Sequence, residues 1–117
     1  MASKNKDERA HVNALIKVLR EAENAPLAYF FIDRDAGNVR HTSSGWDFHI
    51  SYAGRVVYCE AKEEKGKLTS WQEVTRAMIH SAGNLYRVVR FWKNGEFFNV
   101  DGGKMIAIKD ACLQDFF

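Results

Sequence analysis

The sequence predicts an α/β domain with a central mixed β-sheet flanked by helices, and three observations carry that prediction. Residues 46–52, Trp-Asp-Phe-His-Ile-Ser-Tyr, alternate strictly between apolar and polar, the period-two signature of a half-buried strand. Ala53-Gly54 separates them from a second β-rich run, Val56–Lys62, which reads as a hairpin partner. A helical stretch, residues 70–82, then connects that run to another strand-like segment, residues 85–92. A hairpin makes its strands antiparallel and a strand–helix–strand crossover makes its strands parallel, so the sheet is mixed.

The remaining elements follow in order. Residues 6–23 place Val12, Leu15, Ile16 and Leu19 at three- and four-residue spacing with charged residues between them, the stripe of an amphipathic helix. Pro26 stands just beyond its end, where a proline is tolerated. Ala28–Ile32 is a short apolar strand, and Arg34 to Gly45 is a polar loop. Thr69 or Ser70 caps the second helix, with Gln72 or Glu73 in position to complete a capping box. On that helix Val74, Ala77, Met78 and Ser81 share one side, and Gln72, Arg76 and His80 another. Asn94-Gly95 signals a turn into a strand at 97–100, and the tail from Lys104 reads as a strand and a short helix.

At 117 residues the chain has room for one hydrophobic core. The expectation is a single domain over 1–117, with its core at about 6–92 and C-terminal strands over 93–117. A 46% hydrophobic content with 27% charged residues belongs to a globular protein rather than a disordered one. No apolar run reaches the ~18 residues of a membrane span, and the N-terminus lacks a signal-peptide core, so no membrane is expected and the cytoplasm is the expected location. Cys59 and Cys112 form no CxxC pair, and the histidines show no HExxH spacing, which argues against zinc.

The net charge of +2 is uneven. Between Lys65 and Lys93 the chain carries Lys65, Lys67, Arg76, Arg87, Arg90 and Lys93 against Glu73 alone, a local +5, while the remainder carries −3. That stretch suits a polyanion, although solvated surface charge gives the same pattern.

The chemistry concentrates in the hairpin. An Ala53-Gly54 turn sets Asp47 across from Glu60, and a Gly54-Arg55 turn sets it across from Lys62. Both keep Asp47, Glu60 and Lys62 on one face, because side chains alternate with period two. Facing carboxylates repel unless something cationic sits between them. Hard oxygen ligands with no soft ligand nearby point to Mg²⁺ or Mn²⁺. Such a site serves phosphodiester hydrolysis, with Lys62 orienting the attacking water. A surface salt-bridge cluster is the competing interpretation of the same three residues.

Gly45-Trp46-Asp47, Glu60-Ala61-Lys62 and Gly66-Lys67-Leu68-Thr69-Ser70-Trp71-Gln72 together resemble the VRR-NUC family of the PD-(D/E)XK nuclease superfamily. The likeness runs from the first helix to about Trp92. It implies a PD-(D/E)XK nuclease-like fold, with Asp47 and Glu60 as metal-binding carboxylates and the Ala61 carbonyl as a further ligand. It also implies Lys62 as the catalytic lysine and Gln72 as a contact to water or phosphate. Glu8 matches an extra acidic ligand on the first helix, and equally suits a favourable charge near a helix start. Where the family has a proline before its aspartate, this chain has Trp46; the alternation puts Trp46 on the apolar face, as a core anchor that leaves the acid in place.

The expected DNA contacts are Arg34, Arg40, Lys65, Lys67 and Arg76. His49 shares the Asp47 face and is either a substrate contact or an unassigned strand histidine. Cys59 points away from Glu60 as a small core residue, and Trp71 reads as a packed helix-start residue. Phe91, Phe97, Phe98, Phe116 and Phe117 are either core or apolar surface for a homodimer, the symmetric assembly that presents two sites to two strands. Minimal members of the family act on branched DNA such as four-way (Holliday) junctions. The alternatives are a catalytically silent nucleic-acid-binding module and a nuclease of flap, single-strand or restriction-type specificity.

Overall fold

The Ala53-Gly54 pair decides the register of the hairpin. Both residues adopt left-handed backbone, with φ of 54° and 77°, the type I′ geometry whose twist matches the strands it joins. The computed structural model describes residues 2–22, 28–32 and 46–117. In it β2 (Phe48–Tyr52) pairs antiparallel with β3 (Arg55–Lys62), Phe48 opposite Cys59 and Tyr52 opposite Arg55. Of the two registers open to the sequence, this one extends to set Asp47 across from Glu60.

The other strands add on either side. β1 (Ala28–Ile32) pairs antiparallel with β2. After α2 (Ser70–Ser81), β4 (Leu85–Trp92) returns parallel to β3 with Val57 opposite Leu85. β5 (Phe97–Val100) and β6 (Ile106–Ala107) complete an antiparallel edge, and the spatial order is β1-β2-β3-β4-β5-β6. The chain is thus an α/β domain on a mixed six-stranded sheet.

The first helix, α1, spans Ala2–Arg20, starting earlier than its apolar stripe suggests. Val12, Leu15, Ile16 and Leu19 are buried in one cluster with Phe48, Ile50, Val57, Cys59, Ala61, Val89 and Phe91. Burying each large side chain here contributes about 1.5–3 kcal/mol. Phe98, Leu113 and Phe116 belong to the same cluster, the last two through a 3₁₀ turn at Leu113–Phe116. Phe91, Phe98 and Phe116 are therefore core, and Phe97 and Phe117 are partly buried. The aromatic C-terminal third fills the interior instead of leaving apolar surface to spare. Arg87 ties it down, its guanidinium donating to the carbonyls of Phe116 and Phe117.

Helix α2 covers the opposite face of the sheet at β4, with Thr75 buried and the His80 ring edge-on to Tyr86. Thr69 caps it with a full capping box: its hydroxyl accepts from the Gln72 amide, and Gln72 Oε1 accepts from the Thr69 amide at 2.9 Å. Trp71, expected to pack, is exposed, and so are Val74 and Met78. The side of α2 that the sequence marks as apolar faces solvent, because the sheet receives the Gln72–Thr75 side. Asn94-Gly95 does mark a turn, but the connection is four residues long, Trp92 pairing with Phe97. Gly95 is required there, since a Cβ on it would collide with the His11 ring. Pro26 and the loop from Arg34 to Gly45 lie outside the described residues. Among the described residues no helix is long and apolar enough to cross a membrane.

Candidate active site

Asp47 stands just ahead of β2, where the ladder becomes irregular. Its amide donates to the Cys59 carbonyl at 2.8 Å, although the hairpin register puts Asp47 opposite Glu60. Two residues, Asp47 and Phe48, thus face one on β3, which is a β-bulge. A one-residue step reverses the face to which the preceding side chain points. This corrects the placement of Trp46. Its ring packs against Tyr58 at 4.8 Å and His49 at 6.4 Å, on the Asp47 face rather than in the core.

The irregularity also fixes the aspartate. Asp47 Oδ2 accepts the Ala61 amide at 2.7 Å, so the side chain is tied to the backbone of β3. From there it meets Glu60, and the two carboxyls hydrogen-bond to each other. Glu60 is only 3% exposed. Burial above all, then the charge and hydrogen bond of Asp47, hold its carboxyl well above the ordinary carboxylate range, with Glu8 adding to the effect and Lys62 opposing it. A hydrogen bond between two carboxyls needs one proton, and the pair holds it more readily than two facing charges.

Two further side chains converge on the same carboxyl. Lys62 Nζ lies 3.9 Å from Glu60 Oε2. Its stem runs along Gly66, where a Cβ would come within 3.2 Å of Lys62 Cδ. Gln72 Nε2 donates to Glu60 Oε2 at 2.8 Å. Because the capping box already holds Gln72 Oε1, the amide can present only its NH₂ to the site. The helix start thereby orients a donor toward the carboxylate pair.

The structure brings together Asp47, Glu60, Lys62 and Gln72, with Glu8 of α1 in electrostatic reach of Glu60. One turn along α1, His11 Nδ1 lies 2.9 Å from Glu63 Oε2. Ala61 is buried, with its amide engaged by Asp47. Lys65 and Lys67, on the β3–α2 connection, and Arg76, on α2, are exposed. Arg34 and Arg40 lie outside the described residues. Cys59 is fully buried, and that burial raises its thiol pKa.

Two features escaped the sequence. Arg90 donates to the carbonyls of Glu63, Glu64 and Gly66, pinning the connection that follows Lys62. Its charge therefore serves the loop, which a count of basic residues does not disclose. Phe31, His49, Tyr58 and Trp46 form an aromatic group beside the acids. The two-residue alternation of β1 would have pointed to Phe31, but Ala-Tyr-Phe-Phe-Ile is apolar at every position and hides it.

Among the described residues, no group of three or more His, Cys, Asp or Glu side chains is arranged to hold a metal ion. The carboxylate pair is the oxygen-rich feature of the site. No protein-family model matches the chain, and comparison with curated proteins finds no match.

Proposed function

We propose that the chain is a divalent-metal-dependent endonuclease that hydrolyses DNA phosphodiester bonds, structure-specific for branched DNA such as four-way (Holliday) junctions and acting as a homodimer. The observation that carries this reading is the hydrogen-bonded pair of Asp47 and Glu60, with Lys62 and Gln72 converging on the same carboxyl oxygen. A proton now relieves the repulsion between the two acids, and a hard dication relieves it better. Mg²⁺ fits such a pair, because it binds through one or two carboxylates and fills its remaining positions with water and phosphate oxygens; Mn²⁺ accepts the same oxygen ligands. When bound, the ion neutralises phosphate charge and lowers the pKa of water.

The residues then divide the work. Asp47, anchored on the Ala61 amide, and Glu60 hold the ion, with the Ala61 carbonyl and Glu8 as further candidates. Lys62 orients the attacking water and offsets the negative charge that builds on phosphorus oxygens. Gln72 keeps Glu60 in place. Water adds to phosphorus, one P–O bond breaks, and the leaving oxygen takes up a proton. Lys65, Lys67 and Arg76, with Arg34 and Arg40, are the proposed backbone contacts. The exposed stripe of Trp71, Val74 and Met78 on α2 supports a symmetric pairing of chains.

A catalytically silent DNA-binding module is favoured by one observation, that among the described residues no group of three or more His, Cys, Asp or Glu side chains is arranged to hold a metal ion. Incubation with a labelled four-way junction, with and without Mg²⁺, separates the two readings. Cleavage that needs Mg²⁺ and is lost in Glu60→Gln is expected. A junction that shifts in a gel but is never cut would establish the silent module.

A further inference from the structure

We infer that the half of the sheet face beside the carboxylate pair is a stacking platform for unpaired nucleobases, occupied by a single-stranded stretch of DNA that flanks the phosphate to be cut. The inference rests on the nuclease reading above and narrows its substrate to branched DNA with an unpaired stretch beside the branch.

The strand pairing builds the platform. Phe31, His49 and Tyr58 lie on one rung across β1, β2 and β3, and Tyr29, Ser51 and Val56 lie on the next. Rungs on one face are about 7 Å apart, so the first aromatic rung begins one step from Asp47. The Phe31 and His49 rings stack on each other, with centroids 4.9 Å apart and planes 16° from parallel, so a base would extend an existing stack. It is also open. Tyr29 is 60% exposed and Phe31 43%, while α1 packs on the opposite face and α2 lies over β4. Beyond the second rung the face continues into a hollow lined by Tyr29, Ser51, Val56 and the hairpin turn.

The chemistry selects the occupant. Large aromatic side chains on an exposed edge strand invite aggregation, so their presence calls for a partner. Rings with planar faces and few free hydrogen-bonding groups suit bases of any sequence, each stack being worth about 1–3 kcal/mol. A fully paired duplex keeps its bases stacked inside and offers this surface nothing. Continuity with the carboxylate pair places such a strand where its backbone meets the acids.

The test is binding without cutting. A single-stranded oligonucleotide carrying 2-aminopurine and a fully paired duplex are titrated with the full chain in EDTA. Quenching of 2-aminopurine on the strand is expected, and Phe31→Ala with Tyr29→Ala should weaken strand binding at least about tenfold. Duplex binding and the thermal transition should stay within about twofold and a few degrees. Phe31→Tyr should restore strand binding. An unquenched probe, unchanged strand affinity in the double variant, or equal loss for strand and duplex would each overturn the platform. So would a change in oligomeric state on sedimentation, which would make the face a contact between chains. The two readings fail separately: Mg²⁺-dependent cleavage unaffected by the double variant removes the platform alone, and quenching without cleavage of any substrate removes the nuclease alone.

Discussion

A carboxyl buried beside another carboxyl loses their repulsion to either a proton or a cation, and Glu60 makes the choice measurable. Its pKa in the folded chain is raised far above the ordinary 4.5, so folding takes up a proton that the unfolded chain releases once the pH passes that value. Stability of the metal-free protein is therefore fullest below the unfolded pKa and declines as pH rises toward the folded one, by at most about 1.4 kcal/mol per pH unit. Glu60→Gln keeps an oxygen for Gln72 Nε2 and removes the titration. Urea denaturation between about pH 5 and pH 9 should show the parent losing stability and the variant nearly level. Saturating Mg²⁺ should flatten the parent's curve, because the ion takes the place of the proton. Parallel slopes for parent and variant would remove Glu60 as the buried proton carrier.

Among the elements, the β2–β3 hairpin bears most of the site and has one local cost. Ala53 takes φ of 54°, a left-handed conformation that costs a residue with a Cβ about 1–2 kcal/mol, whereas a type I′ turn favours Asn there. Ala53→Asn should raise stability by about 0.5–1 kcal/mol, read as a higher melting temperature, with cleavage unchanged because the register is unchanged. A lower melting temperature would mean that the turn does not set the register. The same hairpin shows what the sequence makes legible. Asp47, Glu60 and Lys62 could be grouped from spacing alone, since either register leaves them on one face. Gln72 entered as a site residue through the family resemblance, since the capping-box pattern alone marked Gln72 or Glu73 as a helix start. Trp46 could not be placed, because a bulge depends on how the strand meets its neighbours, and one extra residue inverts every face before it. The outward apolar side of α2 was misleading for a related reason: periodicity identifies a stripe but not which side the sheet receives. Phe91, Phe98 and Phe116 likewise have the composition of either surface or core, and only packing against α1 decides.

At the scale of the whole molecule, the basic stretch from Lys65 to Lys93 divides by structure rather than by charge. Arg87 holds the C-terminal backbone and pairs with Asp101 at 3.3 Å, and Arg90 holds the β3–α2 connection. The Lys93 ammonium lies over the Phe97 ring at 5.4 Å. Lys65, Lys67 and Arg76 are exposed to solvent, so they are the residues of this stretch expected to meet phosphates. Each phosphate neutralised contributes about −0.9 to the slope of log K against log salt on duplex DNA. Lys67→Ala should therefore weaken junction binding and make that slope shallower by about 1, with the melting temperature unchanged. Arg87→Ala should do the reverse, leaving the slope within error of the parent while lowering stability, since two C-terminal carbonyls lose their donor and a partly buried arm loses its anchor. Binding isotherms at four salt concentrations for the three proteins decide the matter. A slope that falls as much for Arg87→Ala as for Lys67→Ala would mean that formal charge, rather than the freedom of the side chain, determines which residues track the backbone.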